Sequence, residues 1–169
     1  MQSHHTPPAF THPRSLLALA LSFAASFGIA AAGAALTAGP VKSWYPMLAK
    51  PALTPPDIAF PIVWNILFAL MAVAAWRVWR AAGLDRARTA LGLFGVQLVL
   101  NLGWSWLFFG QQRIGAAVIE IGVLWLAIAA CMAAFARHDR IAAWLLLPYL
   151  LWVSFAAYLT FAIWQLNPA

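Results

Sequence analysis

Charge is scarce in this chain. Ten Lys or Arg and four Asp or Glu make up 8% of 169 residues, while 64% are hydrophobic. A soluble domain carries about 25% charged and about 45–50% apolar residues. That deficit excludes an ordinary water-soluble fold and identifies an integral membrane protein. The apolar stretches do not alternate with polar residues, which excludes the strand pattern of a transmembrane barrel. Cysteine is nearly missing too. The one thiol, Cys131, sits inside an apolar run, so neither a disulfide framework nor a cysteine metal site can be built within the chain.

Acids and histidines are equally sparse where chemistry would need them. Only Glu120 lies within an apolar run, and no histidine does. Paired carboxylates, a Ser–His–Asp set and a phosphate-binding glycine loop are all missing. Catalysis here would have to use tryptophan, tyrosine or a bound chromophore. The net charge of +6 does not imply nucleic acid, because the basic residues punctuate apolar segments rather than forming a patch. His4, His5 and His12 lie in a polar tail, 1–14, read as disordered rather than metal-binding.

What is present is hydrophobic length. A helix needs about 20 apolar residues to cross the hydrocarbon core, and only helices satisfy their own backbone there. Five runs meet that need, predicting helices over approximately 15–37, 58–80, 88–110, 113–136 and 140–165 in a single domain, 15–169. Short connections force antiparallel neighbours, so the expected fold is an all-α bundle of five transmembrane helices. Arg14, Arg77, Arg80, Arg86, Arg88, Arg137 and Arg140 fall on one side; Lys42, Lys50 and Arg113 fall on the other. That asymmetry places the N-terminus in the cytoplasm, and the first loop and C-terminus outside. The first run also resembles a signal peptide, but it exceeds the usual 7–15 apolar residues. Ala24, Gly28 and Ala32, spaced by four, favour a retained and packed helix.

Inside a bundle surrounded by lipid, polar and aromatic residues mark the interior. Gln97, Asn101, Trp104 and Phe108 share one helical face. Phe60, Trp64, Phe68 and Met71 repeat the spacing, as do Tyr149, Trp152, Ala156 and Leu159. Such stripes suit either a plain core or an aromatic ligand pocket. Trp76, Trp79, Trp144 and Trp164 lie near helix ends, where interfacial anchoring explains them; Trp64, Trp104, Trp125 and Trp152 lie deeper. Glu120 is either a buried relay or a surface group that snorkels or pairs with Arg113. The latter is the simpler reading, since no second buried acid accompanies it.

Motifs in order along the chain carry a resemblance. They are W-Y-x-x-L-x-K-P at 44–51, Pro55–Pro56, Trp64, Q-L-x-x-N-x-x-W at 97–104 and F-F-G at 108–110. L-P-Y-L-x-W-x-x-F-A-x-x-L at 147–159 and I-W-x-x-N at 163–167 complete the set. The chain resembles the tryptophan-rich sensory protein/translocator protein family, in its bacterial type. That resemblance implies a homodimer in the bacterial inner membrane, with the first loop closing a pocket between helices. Lid residues would be Trp44, Lys50, Pro51, Pro55 and Pro56, and ligand-binding residues Tyr45, Trp64, Phe68, Asn101, Trp104, Trp152, Ala156 and Leu159.

The implied ligand is a porphyrin such as protoporphyrin IX, with no obligatory cofactor or metal, and the implied role is a receptor or sensor. Light-driven porphyrin breakdown at Trp64 or Trp152 is one alternative. Transport is another, although no internal repeat supports it. Three departures touch the pocket. Asp57 and Ile58 follow Pro56 where many members place a Trp, Thr160 replaces an Asn, and Phe68 replaces a common Tyr. The sterol motif of mitochondrial members needs a basic residue near the C-terminus, and none follows Arg140.

Overall fold

The computed structural model describes residues 12–168, so His4 and His5 of the tail lie outside the described residues. Helix α1 (Pro13–Thr37) starts where proline is best tolerated, in the first turn, and His12 Nδ1 accepts from the Arg14 amide at 3.2 Å. Pro40 opens a single turn, α2 (Pro40–Ser43), followed by a 3-10 turn at Tyr45–Met47. That turn and the irregular residues 48–58 together form a strap leading to α3 (Ala59–Ser105). Its prolines withdraw backbone donors, so the strap joins neither helix.

α3 runs for 47 residues, which would reach about 70 Å if straight. It is not straight. Gly83 (φ 72°, ψ 170°) leaves helical geometry and folds the element into two arms, 59–82 and 84–105. Gln97 Nε2 consequently approaches Met71 Sδ at 3.9 Å across the hairpin. Among the described residues, four helical stretches are long and apolar enough to cross a membrane: Pro13–Thr37, Ala59–Gly110, Ile114–Ala136 and Arg140–Leu166. The second covers 52 residues, about twice the length one crossing requires. The chain is therefore a multi-pass helical membrane protein.

A π-helical turn, Trp106–Gly110, ends the second arm, with the Gln111 amide donating to Trp106 O at 2.8 Å. α4 (Ile114–Ala136) follows. The last helix expected, over 140–165, is divided in two. Asp139 Oδ1 caps α5 (Arg140–Leu145), accepting from Ile141 and Ala142, and α6 (Leu147–Leu166) restarts beyond Leu146. Pro148 has no amide to continue the ladder, which explains the break.

The bundle is filled at one end and hollow at the other. From Met71 toward Gly83 the interior is closed: Met71, Val78, Phe94, Ile128 and Phe135 are buried in one cluster, and alanines 74, 75, 87 and 90 let helices approach closely. At that end Trp76 Nε1 donates to Ser15 O at 3.0 Å, and Arg77 pairs with Asp139 at 2.8 Å. α6 packs its backbone on α4 and meets the first arm of α3 through rings, Phe60 against Trp152 at 6.0 Å and Trp64 against Tyr149 at 6.1 Å. On the small-residue face of α1, Ala32 is half-buried. Ala24 and Gly28 are exposed, because α1 turns Phe27 and Ala30 inward instead.

Gly83 predicts a specific stability effect. Its conformation is open essentially to glycine alone and costs other residues about 1–3 kcal/mol. Gly83→Ala should lower the melting temperature in detergent. Gly28→Ala, in an open helical site, should leave it unchanged or raise it. Equal melting of the two variants would show that the hairpin does not depend on Gly83.

Candidate functional site

A cavity of about 670 Å³ occupies the hollow end, within the range of about 300–1,000 Å³ typical of small-molecule sites. α1, α2, the strap, both arms of α3, the π turn and α6 all contribute walls; α4 contributes none. Tyr45, Trp64, Phe68, Asn101, Trp104, Trp152, Ala156 and Leu159, singled out from the sequence, all line this one space. The stripes therefore surround a void at this level rather than closing on one another.

Each stripe also has a buried end. Phe60, Trp64 and Phe68 face the cavity, whereas Met71, one turn further, is fully buried. Asn101 Nδ2 donates to Tyr149 Oη at 3.1 Å, joining α3 to α6. Tyr149 is 1% exposed and meets Trp64 edge-on at 6.1 Å, so it supports the wall from behind. Trp104 stacks on Phe108 with centroids 5.2 Å apart, and its buried Nε1 has no hydrogen-bond partner among the described residues. An indole N–H sealed without a partner is an unsatisfied donor in the wall.

The strap adds Tyr45 and Asp57 to the lining, and α2 adds Lys42. Tyr45 packs on Phe108 and Phe109 at 6.3 and 5.7 Å, and Lys50 Nζ stands 4.7 Å over its ring. Trp44 meets Phe108 edge-on at 5.6 Å but does not line the cavity. Pro51, Pro55 and Pro56 likewise lie outside the lining, shaping the strap rather than the wall.

Several contributors escaped the sequence reading. Phe27, Ala30 and Ala34 of α1 form a whole wall. Alanine gives no signal of facing a ligand, and Phe27 alone makes no stripe. Trp125, read as deep, is partly exposed and donates to Ser154 Oγ at 2.9 Å away from the cavity. Glu120 neither snorkels nor pairs with Arg113. Both carboxylate oxygens are buried without a partner, and one lies 3.5 Å from where a Cβ on Gly103 would sit.

The fold and the cavity define a class: a multi-pass helical membrane protein with an aromatic chamber at one end of its bundle. Residues 18–165 match the model of the TspO/MBR family, to which this chain belongs. It is 43% identical over 159 residues to a tryptophan-rich protein TspO of Chlorobaculum tepidum, covering 92% of this chain and 99% of that one. A tryptophan-rich sensory protein of Cereibacter sphaeroides is 39% identical over 142 residues, 82% and 88% of the two chains. The human translocator protein is 35% identical over 126 residues, 73% and 75% of the two chains.

Tyr45 provides a handle on the strap from outside the spans. Burial, and secondarily the Asp57 carboxylate, raise its phenol above the usual value of about 10. The neutral phenol is favoured in the folded state. Its stabilising contribution is thus present at neutral pH and is lost as pH rises through the folded value. The phenolate signal that Tyr45→Phe removes should have a midpoint above about pH 10. A midpoint at or below that value would mean the strap leaves Tyr45 in water.

Proposed function

We propose that this protein is a membrane receptor or sensor for porphyrins of the protoporphyrin IX kind, acting in tetrapyrrole metabolism or stress response. The observation that carries the reading is the convergence of Trp64, Trp104, Trp152 and Tyr45 on one cavity of ligand size. A flat aromatic macrocycle gains most from indole and phenol faces. Its propionates need donors, and the Lys42 side chain in the lining supplies one. The strap then acts as the lid of the chamber. Its prolines reduce the entropy lost on closing.

In this reading the chain crosses a bacterial inner membrane five times, each arm of α3 making one crossing. The N-terminus and Gly83 lie in the cytoplasm; the strap and C-terminus lie outside. The Trp76–Ser15 and Arg77–Asp139 contacts gather one end of the bundle, and the Ala49–Asn167 contact the other. A Leu53→Cys variant in a Cys131→Ser background should react with an impermeant maleimide in intact spheroplasts. Asp85→Cys should react only after lysis. Labelling of both, or the reverse pattern, would refute the topology. The chain also forms a homodimer in this reading, and the exposed Gly92 and Gly95, with open space at each, suit close helix approach.

The central test is a titration of the detergent-purified protein with protoporphyrin IX in the dark, read by tryptophan quenching. Saturable binding is expected, weakened about tenfold by Trp152→Ala, which removes a stacking face. Lack of saturable binding would overturn the reading. Illuminating the complex addresses the second reading, favoured by the placement of both Trp64 and Trp152 on the wall. Oxygen-dependent bleaching that Trp152→Phe abolishes would reassign the protein to light-driven porphyrin breakdown.

A further inference from the structure

The strap is held to the rest of the molecule by an unusual pair of bonds. Asn167, at the C-terminal end of α6, accepts from the Ala49 amide through Oδ1 at 3.0 Å and donates to the Ala49 carbonyl through Nδ2 at 2.9 Å. Its second Nδ2 hydrogen goes to Ile163 O at 2.8 Å, in the last turn of α6. One side chain thus engages both polar groups of a residue 118 positions away, while its other donor anchors it to the helix end. Every other hydrogen bond found for residues 45–57 joins positions no more than four apart.

Sequence explains why the strap needs an outside partner. Prolines at 46, 51, 55 and 56 remove backbone donors on both sides, so the segment cannot zip against a helix or another strand. Ala49 lies between the first two of them and keeps both its N–H and its C=O. Of the short polar side chains, only a carboxamide offers an acceptor and two donors at once. Serine has a single hydroxyl hydrogen, and an ionised aspartate can donate to neither carbonyl.

We propose that Asn167 is a positioning residue that latches the strap closed over the cavity and so sets how long a ligand stays. Through Ala49 it fixes the chain four residues beyond Tyr45, whose ring lines the cavity and carries the Lys50 ammonium on its face. Lys50 Nζ is bonded to the carbonyls of Pro46 and Leu48, on either side of Met47, so the turn and the latch move as one piece. This role rests on the reading of the cavity as a ligand site, but the latch itself can be tested without ligand.

Amide hydrogen exchange of the ligand-free protein comes first, comparing wild type, Asn167→Ala and Asn167→Asp. Strap amides around Ala49 should exchange about ten- to thirtyfold faster in Asn167→Ala, while peptides from α4 stay unchanged. Asn167→Asp, which keeps the acceptor and loses the donors, should fall between. Ala49→Pro removes the strap's own donor without touching α6. Leu48 (ψ 140°) already has the extended backbone that a following proline requires, so this variant should accelerate exchange at Lys50 and Ala52. Unchanged strap exchange in both Asn167→Ala and Ala49→Pro would overturn the latch.

Protoporphyrin IX release by stopped flow then tests the positioning role. Dissociation should be about tenfold faster in Asn167→Ala and in Ala49→Pro, with association altered far less. A loosened strap with an unchanged dissociation rate would overturn the positioning role. A loosened strap in a protein whose wild type binds no protoporphyrin IX would overturn the porphyrin reading and leave the latch standing.

Discussion

The depth of the cavity depends on the hydrogen bond between Asn101 and Tyr149. Both side chains are nearly sealed, at 6% and 1% exposure, so neither has water as an alternative partner. In a setting without water, a polar pair that satisfies itself is stable, and one that separates leaves two costly orphans. The bond therefore ties α6 to the second arm of α3 at a fixed height. On one side of it, Met71, Val153 and Leu146 close the core. On the other, the chamber opens between α1, both arms of α3 and α6.

Why the chamber stays open follows from the solvent. In lipid there is no hydrophobic gain from pressing two apolar helices together, because acyl chains are as apolar as leucine. A void between helices is closed only if good packing is available, and rigid rings supply a frame that resists it. Phe60 meets Trp152 across α3 and α6, while Trp64 meets Phe68 and Trp104 stacks on Phe108 within α3 and its π turn. Aromatic density serves here as scaffolding for the cavity as well as its lining.

The same solvent logic decides what could be read from sequence. Hydropathy located the helical stretches because the backbone has no other way to cross lipid. Three stripes of polar and aromatic residues pointed to a common interior, since Asn101 facing acyl chains would be expensive. α1 escaped because its cavity wall is built from alanines around Phe27, while Ala24 and Gly28 of its most regular small-residue stripe are exposed. Residues 140–165 look continuous to hydropathy, which weighs Pro148 as one residue and not as a missing donor. Asn167 belongs to the I-W-x-x-N motif, yet its contact with Ala49 joins positions 118 apart in sequence and has no local signature.

The three departures from the family's pattern change the inner wall of the chamber and its strap side differently. Thr160 replaces an amide, and its hydroxyl donates to Ala156 O at 2.7 Å, which leaves little for a ligand. Phe68 lacks the hydroxyl of the usual Tyr and is almost wholly buried. Asp57 joins the lining near the position of the usual lid Trp, while Ile58 turns outward. The inner wall has thereby lost polarity, and the lining has gained a negative charge at Asp57 in addition to Lys42. On the porphyrin reading, the macrocycle's apolar edge would face the inner wall and its propionates would turn toward Lys42 rather than Asp57. Repulsion by Asp57 would disfavour the reverse orientation, so charge in the lining, rather than shape within, would fix how an anionic ligand is oriented.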